Sequence, residues 1–242
     1  MLVLLRKEFS TFFSSPMGYI VIGVFLLITG LFLWVFRGEY NILDNGYANL
    51  NGLFIMAPWL YLFLVPAITM RLFAEEKRNG TLELLLSRPI SRISIVMSKY
   101  LAGLLLVVFS LIPTLVYFIS VYWMGDPVGN IDMGGTWGSY IGLVFLAAVY
   151  VAIGVFASSL TDNQIIAFII AAVVCAVFYY GFDLSAQTSS NGGTQNAIAS
   201  LGISAHYDAM SRGVIDSRDL VYFLIVIVAF VFGTKLVIEK KE

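Results

Sequence analysis

The chain has 242 residues, of which 14 are Lys or Arg and 15 are Asp or Glu, so its formal net charge is −1. Apolar residues make up 60% of the chain and charged residues only 12%, whereas soluble globular domains have about half and about a quarter. This composition excludes an ordinary soluble domain and predicts a polytopic membrane protein. Because Cys175 is the single cysteine, an internal disulfide is excluded as well.

Residues 1–15 have the pattern of an amphipathic helix. Apolar residues recur at helical spacing with polar ones between them: Leu2, Leu5, Phe9, Phe12 and Phe13, alternating with Arg6, Lys7, Ser10 and Ser14. The pattern predicts a helix that lies in the interface of the inner leaflet. Pro16 is expected to separate this helix from the apolar stretch that follows. A frayed N-terminal tail is the alternative.

Six long apolar stretches follow along the chain. A helix needs about 20 apolar residues to cross the roughly 30 Å hydrocarbon core of a bilayer. On that basis we predict membrane spans at about 17–36, 53–70, 98–123, 138–160, 164–182 and 218–238. The expected fold class is therefore an all-α integral membrane protein, with one transmembrane domain over residues 1–242.

The loops on the two sides of the predicted bundle differ in charge. Three basic residues lie on one side, Arg37, Arg212 and Arg218, and the remaining 11 of the 14 lie on the other. The positive-inside rule places the more basic side, with both termini, in the cytoplasm. The tryptophans agree, because all four fall towards the opposite ends of the spans: Trp34, Trp59, Trp123 and Trp137.

The cytoplasmic loop between spans two and three, residues 71–97, is the charge-dense part of the chain. Within it, Gly80 is expected to interrupt the helical character and Thr81 to act as the N-cap of a short helix. Glu83 then lies in the first turn, where a carboxylate complements the helix dipole. Three leucines share one face of this helix: Leu82, Leu85 and Leu86. Pro89 ends it.

This helix is too short to be stable alone in water, so it is expected to dock on something. Its leucines have two alternative environments. In the first alternative the leucines rest on the inner leaflet while the basic residues meet anionic headgroups. In the second they fit a groove on a cytoplasmic partner. The carboxylates favour the partner, with four charged residues setting the register: Glu75, Glu76, Arg78 and Glu83.

The segment from Glu75 to Arg92 resembles the E-x-x-x-G-T-x-E-x-L-L-x-x-P cytoplasmic motif of ABC-2-type transporter permeases. In that family the loop contains the coupling helix, which sits in a cleft of the ATPase subunit, and the resemblance implies this role for Thr81–Ser87. A second segment resembles the family's R-G-V-I-D-x-R-D entry into the last span, through Arg212, Gly213, Asp216 and Asp219. The implied fold is that of the type V exporters, with possible re-entrant helices in the outer loop 183–217.

The resemblance also implies partners. No G-x-x-x-x-G-K-[ST] motif occurs in the sequence, so ATP and Mg are expected on a separate P-loop ATPase subunit. A second permease is implied as well, either another copy or a related subunit. Overall the chain is most similar to the permease subunit of the gliding-motility-associated ABC transporter of gliding bacteria, which implies the bacterial inner membrane. We expect no cofactor bound by this chain and no nucleic acid partner.

Two further sets of residues are candidates for mechanical roles. Three prolines interrupt spans two and three and are possible hinges, with ordinary packing as the alternative: Pro58, Pro66 and Pro113. Gly138 and Gly142 form a G-x-x-x-G in span four, which is either a close helix–helix contact or chance. His206 is the only histidine, and without a second histidine or a cysteine pair no metal or hydrolytic site is predicted.

Three functions compete on this sequence. The first is a permease subunit of an ABC complex, which couples ATP hydrolysis on another chain to export or to gliding-related work. The second is a scaffold that transports nothing and links a cytoplasmic ATPase to an envelope partner through the outer loop. The third, an intramembrane enzyme, lacks paired carboxylates or a nucleophile–base set in the spans. No charged residue lies in the middle of a span, which argues against an ion-coupled carrier.

Overall fold

The computed structural model describes residues 1–188, 192–214 and 216–240. Six of its helices are long and apolar enough to cross a membrane: Pro16–Val35, Asn51–Arg78, Arg92–Met124, Met133–Leu160, Gln164–Gln187 and Ser217–Glu239. This agrees with the predicted all-α fold of six spans. The described residues do not include 189–191 of the outer loop, Ile215 of the R-G-V-I-D segment or Lys241.

The N-terminal region forms two helices, α1 (Leu2–Ser14) and α2 (Pro16–Gly30). Ser15 between them is extended, with φ −106° and ψ 150°, so the predicted interruption at Pro16 is confirmed. The first span continues into a π-helical turn, Leu31–Val35. Helix α1 packs against the third span, and its inward face buries Phe12.

The second span is longer than predicted. A short helix, α3 (Ile42–Asn45), precedes it. Helix α4 (Asn51–Thr69) is followed by α5 (Arg71–Arg78), with only Met70 between them. The first 8 residues of the predicted loop are thus a helical extension of this span, and α6 (Thr81–Leu86) follows after a two-residue turn.

The fourth span is the most buried of the six, and the second is more buried than the third. The third consists of α7 (Arg92–Leu111) and α8 (Leu115–Met124), joined by a 3₁₀ turn that contains Pro113. The fourth is α9 (Met133–Leu160). Of an apolar stretch of 18 residues in this span, 78% are buried, whereas the corresponding share in the fifth span is only 22%. Small residues allow α9 to pack against the second, third, fifth and sixth spans at once.

The rest of the chain closes the far side of the bundle. Helix α10 (Gln164–Ala176) and a π-helical turn lead into α11 (Phe182–Gln187). Two helices follow in the loop, α12 (Gly192–Ala199) and α13 (Ile203–Ser211), and α13 packs against α9. The last span is α14 (Ser217–Glu239).

Candidate functional site

The charged end of the bundle consists of α1, α5, α6 and the last turn of α14. Its central feature is the turn between α5 and α6. Gly80 has φ 68°, a left-handed conformation that favours glycine. It occupies the N-cap position of α6, while Thr81 is the first helical residue and its hydroxyl donates to Glu76 O at 3.3 Å. The prediction that Thr81 is the N-cap is wrong, because the positive φ needed for the turn places the cap one residue earlier.

The leucines of α6 point in two directions. Leu82 is buried in the core of this chain, and Leu85 and Leu86 are half-buried against that core. Leu84, by contrast, is 68% exposed. The predicted leucine face is therefore not the outward face of α6. The outward face of this helix and of the turn after it consists of Glu83, Leu84, Ser87, Arg88 and Pro89. The chain itself supplies the docking surface that this short helix needs for its stability.

A buried cluster of charges lies beneath α5. The Lys99 side chain is 0% exposed, and its Nζ lies 2.9 Å from Glu76 Oε1 and 3.2 Å from Glu8 Oε1. The same ammonium lies 5.1 Å from the centre of the Phe73 ring. Because Glu8, Glu76 and Lys99 belong to α1, α5 and α7, this cluster ties three helices together. A buried charge that loses its partner costs about 3–5 kcal/mol, so we expect the three helices to move as one unit.

Two cavities flank α6. The first, of about 450 Å³, lies between α6 and the helices α1, α5 and α7. Glu76 lines it, and Glu76 Oε2 is buried without a hydrogen-bond partner among the described residues. The second, of about 430 Å³, lies between α6 and the ends of α9 and α14, with Lys77, Glu83 and Asp162 in its wall. Helix α6 thus stands between two clefts that each present charged groups.

Helix α5 is fastened to the fourth span through a serine. Ser158 Oγ accepts hydrogen bonds from Phe73 N at 3.0 Å and Ala74 N at 3.1 Å, and donates to Met70 O at 2.8 Å. Phe73 N and Ala74 N belong to the first turn of α5, where a new helix leaves its N–H groups without intrahelical partners. Lys77 Nζ also donates to Ser159 O. The charged extension of span two is therefore fixed to span four.

A model of the ABC-2 family transporter proteins matches residues 2–198. The chain belongs to the ABC-2 transporter family. A search of curated proteins finds no match to it. Members of the family are membrane components of ABC complexes and normally work with an ATP-binding subunit. With six apolar helices, this ABC-2 protein is a multi-pass membrane protein.

The prolines of the ABC-2 chain have different surroundings. Pro58 lies inside α4 and has no N–H for the carbonyl of Phe54 one turn earlier. Tyr207 of α13 donates its hydroxyl to Phe54 O at 2.8 Å and so satisfies that carbonyl. Pro66 also lies inside α4, and Pro113 lies in the 3₁₀ turn of span three. The role of all three as hinges stays a prediction.

The glycines of the G-x-x-x-G in span four face α13. A Cβ on Gly138 would overlap Met210 O, and one on Gly142 would lie 3.2 Å from the Tyr207 ring. At the other end of the same helix, a Cβ on Gly154 would overlap Thr69 Oγ1. Glycine at these positions lets α9 approach its neighbours closely at both ends of the bundle.

The R-G-V-I-D-x-R-D segment connects α13 to the last span. Arg212 is the C-cap of α13, and Gly213, with φ 80°, lies against the backbone of Gly134. Asp216 caps α14 by accepting from Arg218 N at 3.0 Å, and this hydrogen bond lowers the pKa of the Asp216 carboxyl. Asp219 is buried, and its Oδ1 lies 2.6 Å from His206 Nδ1. The segment thus fixes the entry into the last span.

Sequence reasoning missed the residues that bind the helices to one another. Glu8 had a local signal, since it lies between Leu5 and Phe12 on the apolar face of α1. Lys99 lies well inside α7 and Ser158 near the end of α9, and the sequence around them gives no signal of the groups that they contact. Among the described residues, no group of three or more His, Cys, Asp or Glu side chains is arranged to hold a metal.

Proposed function

We propose that this ABC-2 protein is the permease subunit of an ABC complex and that a separate P-loop ATPase binds the outward face of α6. The charged end is then cytoplasmic, with both termini on that side of the bacterial inner membrane. ATP and Mg bind to the ATPase, not to this chain. The observation that carries the proposal is the exposed Leu84, which projects between two clefts from a helix held firmly by its own bundle.

The charges around Leu84 support a protein partner. Glu83 and Arg88 are both exposed beside it, and a surface that only rests on anionic lipid gains nothing from the carboxylate. An apolar residue ringed by charges of both signs is the usual pattern of a small protein interface, with an anchor at the centre and a polar rim.

The contacts of α5 give this docking a mechanical consequence. A push on α6 reaches α5 across one turn at Gly80, and α5 is fixed to span four through Ser158 and to α1 and α7 through Lys99. Movement of the ATPase is then passed to several spans together. The hydrogen bonds of Ser158 support including span four among the spans that this movement is proposed to reach.

The proposal is tested by recruitment of the ATPase. We expect Leu84→Asp to reduce co-purification of Mg-dependent ATP hydrolysis with the tagged chain by about tenfold or more, because Leu84 is the anchor at the centre of the interface. Glu83→Lys, which reverses a charge of the rim, is expected to reduce it by a smaller factor. Leu43→Asp is the matched control, since Leu43 is 58% exposed at the other end of the bundle. Undiminished recruitment by both α6 variants, with normal membrane insertion, would refute the docking.

The complex is proposed to contain a second permease, either another copy or a related subunit, and to drive export or gliding-related work. One observation favours the scaffold alternative. Helix α12 has no buried residue, so it offers a surface to an envelope partner. If the scaffold function is correct, Ala197→Arg on α12 abolishes partner binding and gliding while ATP hydrolysis by the purified complex is unchanged. Unchanged gliding in this variant would exclude α12 as the contact.

A further inference from the structure

At the end of the bundle opposite α6, spans two and five and helix α13 enclose a cavity of about 260 Å³. Half of the residues that line it are aromatic. The Tyr180 ring lies 4.5 Å from that of Trp59 and 4.6 Å from that of Tyr179. The three rings therefore form a corner, and Tyr207 and Phe54 extend this aromatic lining.

Two carboxylates belong to the same cavity, Asp183 from α11 and Asp208 from α13. Asp183 Oδ2 accepts a hydrogen bond from Ser204 Oγ at 2.5 Å. None of the described residues that line the cavity is basic, and neither carboxylate forms an ion pair within the described part of the chain. Arg212, one turn beyond Asp208, is the cation that acts on it electrostatically. The cavity is therefore both aromatic and acidic.

A third observation points to a missing ligand. Tyr179 is only 6% exposed, and its hydroxyl has no hydrogen-bond partner among the described residues. The same hydroxyl lies within electrostatic range of Asp183 and Asp208. Because Tyr179 lines the cavity, this hydroxyl is placed to accept or donate a bond to something inside it.

We propose that this cavity binds an organic ammonium group, held by Asp183 and Asp208 and covered by the rings of Trp59, Tyr179 and Tyr180. Aromatic faces attract cations, and cages of such rings recognise alkylated ammonium groups. Carboxylates that form no ion pair in a partly buried site favour a counter-charge. Because about 260 Å³ is below the roughly 300–1,000 Å³ of pockets for drug-sized ligands, the cavity fits a head group or a small amine.

The test uses the purified full chain in nanodiscs of phosphatidylglycerol, titrated with choline chloride, with potassium chloride at equal ionic strength as the reference. We expect choline to change the fluorescence of Trp59 saturably and potassium not to do so. Trp59→Phe identifies the responding tryptophan, because the chain has 4 of them. A response to potassium equal to that of choline would overturn the proposal, and so would the absence of a saturable response.

The variants separate the charges from the rings. Asp183→Asn and Asp208→Asn keep a hydrogen-bond acceptor and are expected to weaken choline binding by about tenfold or more each. Tyr180→Leu keeps both carboxylates and is expected to weaken it as well. Glu39→Gln, exposed at the same end of the bundle, is the control and is expected to bind normally. Choline affinity unchanged in all three cavity variants would refute the site.

A second pair of nanodiscs identifies the source of the ammonium group. With phosphatidylethanolamine added to the phosphatidylglycerol, a loss of the choline response means that lipid head groups already fill the cavity. An undiminished response means that the natural ligand is a free amine. Both results support an ammonium site and differ only in where the ligand comes from.

Discussion

The two ends of the bundle are held together by different interactions, buried ion pairs at one and close helix–helix packing at the other. At the charged end, three helices meet at a buried lysine between two glutamates, and a short helix with an exposed leucine projects from them. At the opposite end, α13 packs against glycines of span four, and its Tyr207 hydroxyl donates a hydrogen bond to Phe54 O, which Pro58 leaves without a backbone donor. Ion pairs thus hold the helices together at one end. Close backbone contacts hold them at the other end, where the aromatic cavity also lies.

Removal of the lysine tests the charged end and has the largest expected effect. Lys99→Met leaves Glu8 and Glu76 with only the exposed Lys7, whose Nζ lies 3.8 Å and 4.0 Å from them. We expect this loss of the buried cation to cost up to about 3–5 kcal/mol of unfolding free energy. Thermal or denaturant unfolding of the purified chain measures this loss. If the loss is electrostatic, adding Glu8→Gln and Glu76→Gln to the same chain recovers much of it. An equal loss in the triple variant would mean that Lys99 acts only by packing.

A methyl group on span four tests the opposite end. Gly138→Ala places a Cβ where Met210 O now lies, and such overpacking costs about 1–3 kcal/mol. We expect faster proteolysis of the loop around α13 as well as a lower melting temperature. Gly23→Ala is the control, since a Cβ on Gly23 meets nothing within 4 Å. Equal effects of the two substitutions would show that the contact with α13 is not tight.

Substitution of Phe for Tyr is expected to change the stability of the protein differently at two positions. Tyr207→Phe leaves Phe54 O unpaired and is expected to destabilise the protein by about 1–3 kcal/mol. Tyr150→Phe removes a buried hydroxyl that has no partner among the described residues, so we expect it to be neutral or slightly stabilising. Melting temperatures of the two variants, measured side by side, decide this. A Tyr150→Phe loss as large as that of Tyr207→Phe would contradict the hydrogen-bond assignment.

The smallest expected effect is a pH dependence at Asp208. Burial raises the pKa of this carboxyl, Arg212 lowers it and Asp183 raises it further, with a net increase. When the pKa of a carboxyl is higher in the folded than in the unfolded state, its protonation stabilises the folded protein at low pH. This stabilisation is lost as the pH rises through the folded-state pKa. Asp208→Asn should therefore be at least as stable as the parent at about pH 7, with less advantage at about pH 4. A growing advantage on acidification would be the wrong sign.

Local sequence signals were sufficient for the outline of the fold. The break at Pro16, the interruption at Gly80 and the six spans all follow from the properties of residues that are neighbours in the chain. The length of span two did not, because Arg71 marks the end of the apolar run while the helix continues to Arg78. A charged side chain ends a hydrophobic segment without ending a helix.

The environment of the candidate site was beyond sequence reasoning. Helical spacing shows that Leu82, Leu85 and Leu86 share a face, but it does not show whether a partner or the chain itself covers that face. The cluster of Glu8, Glu76 and Lys99 could not be found because its members are distant in sequence and meet only after the helices pack. Tyr207 and Phe54, whose residue numbers differ by 153, are a similar case.

Cross-linking from α6 tests the central claim most directly. Leu84→Cys adds an accessible thiol to a chain whose own Cys175 is buried, and Leu43→Cys adds one at the other end. In native membranes, a thiol–amine cross-linker should join the Leu84→Cys chain to a polypeptide that is photolabelled by an azido analogue of ATP. The Leu43→Cys chain should not be joined to it. An ATP-binding adduct with Leu43→Cys and none with Leu84→Cys would contradict the account.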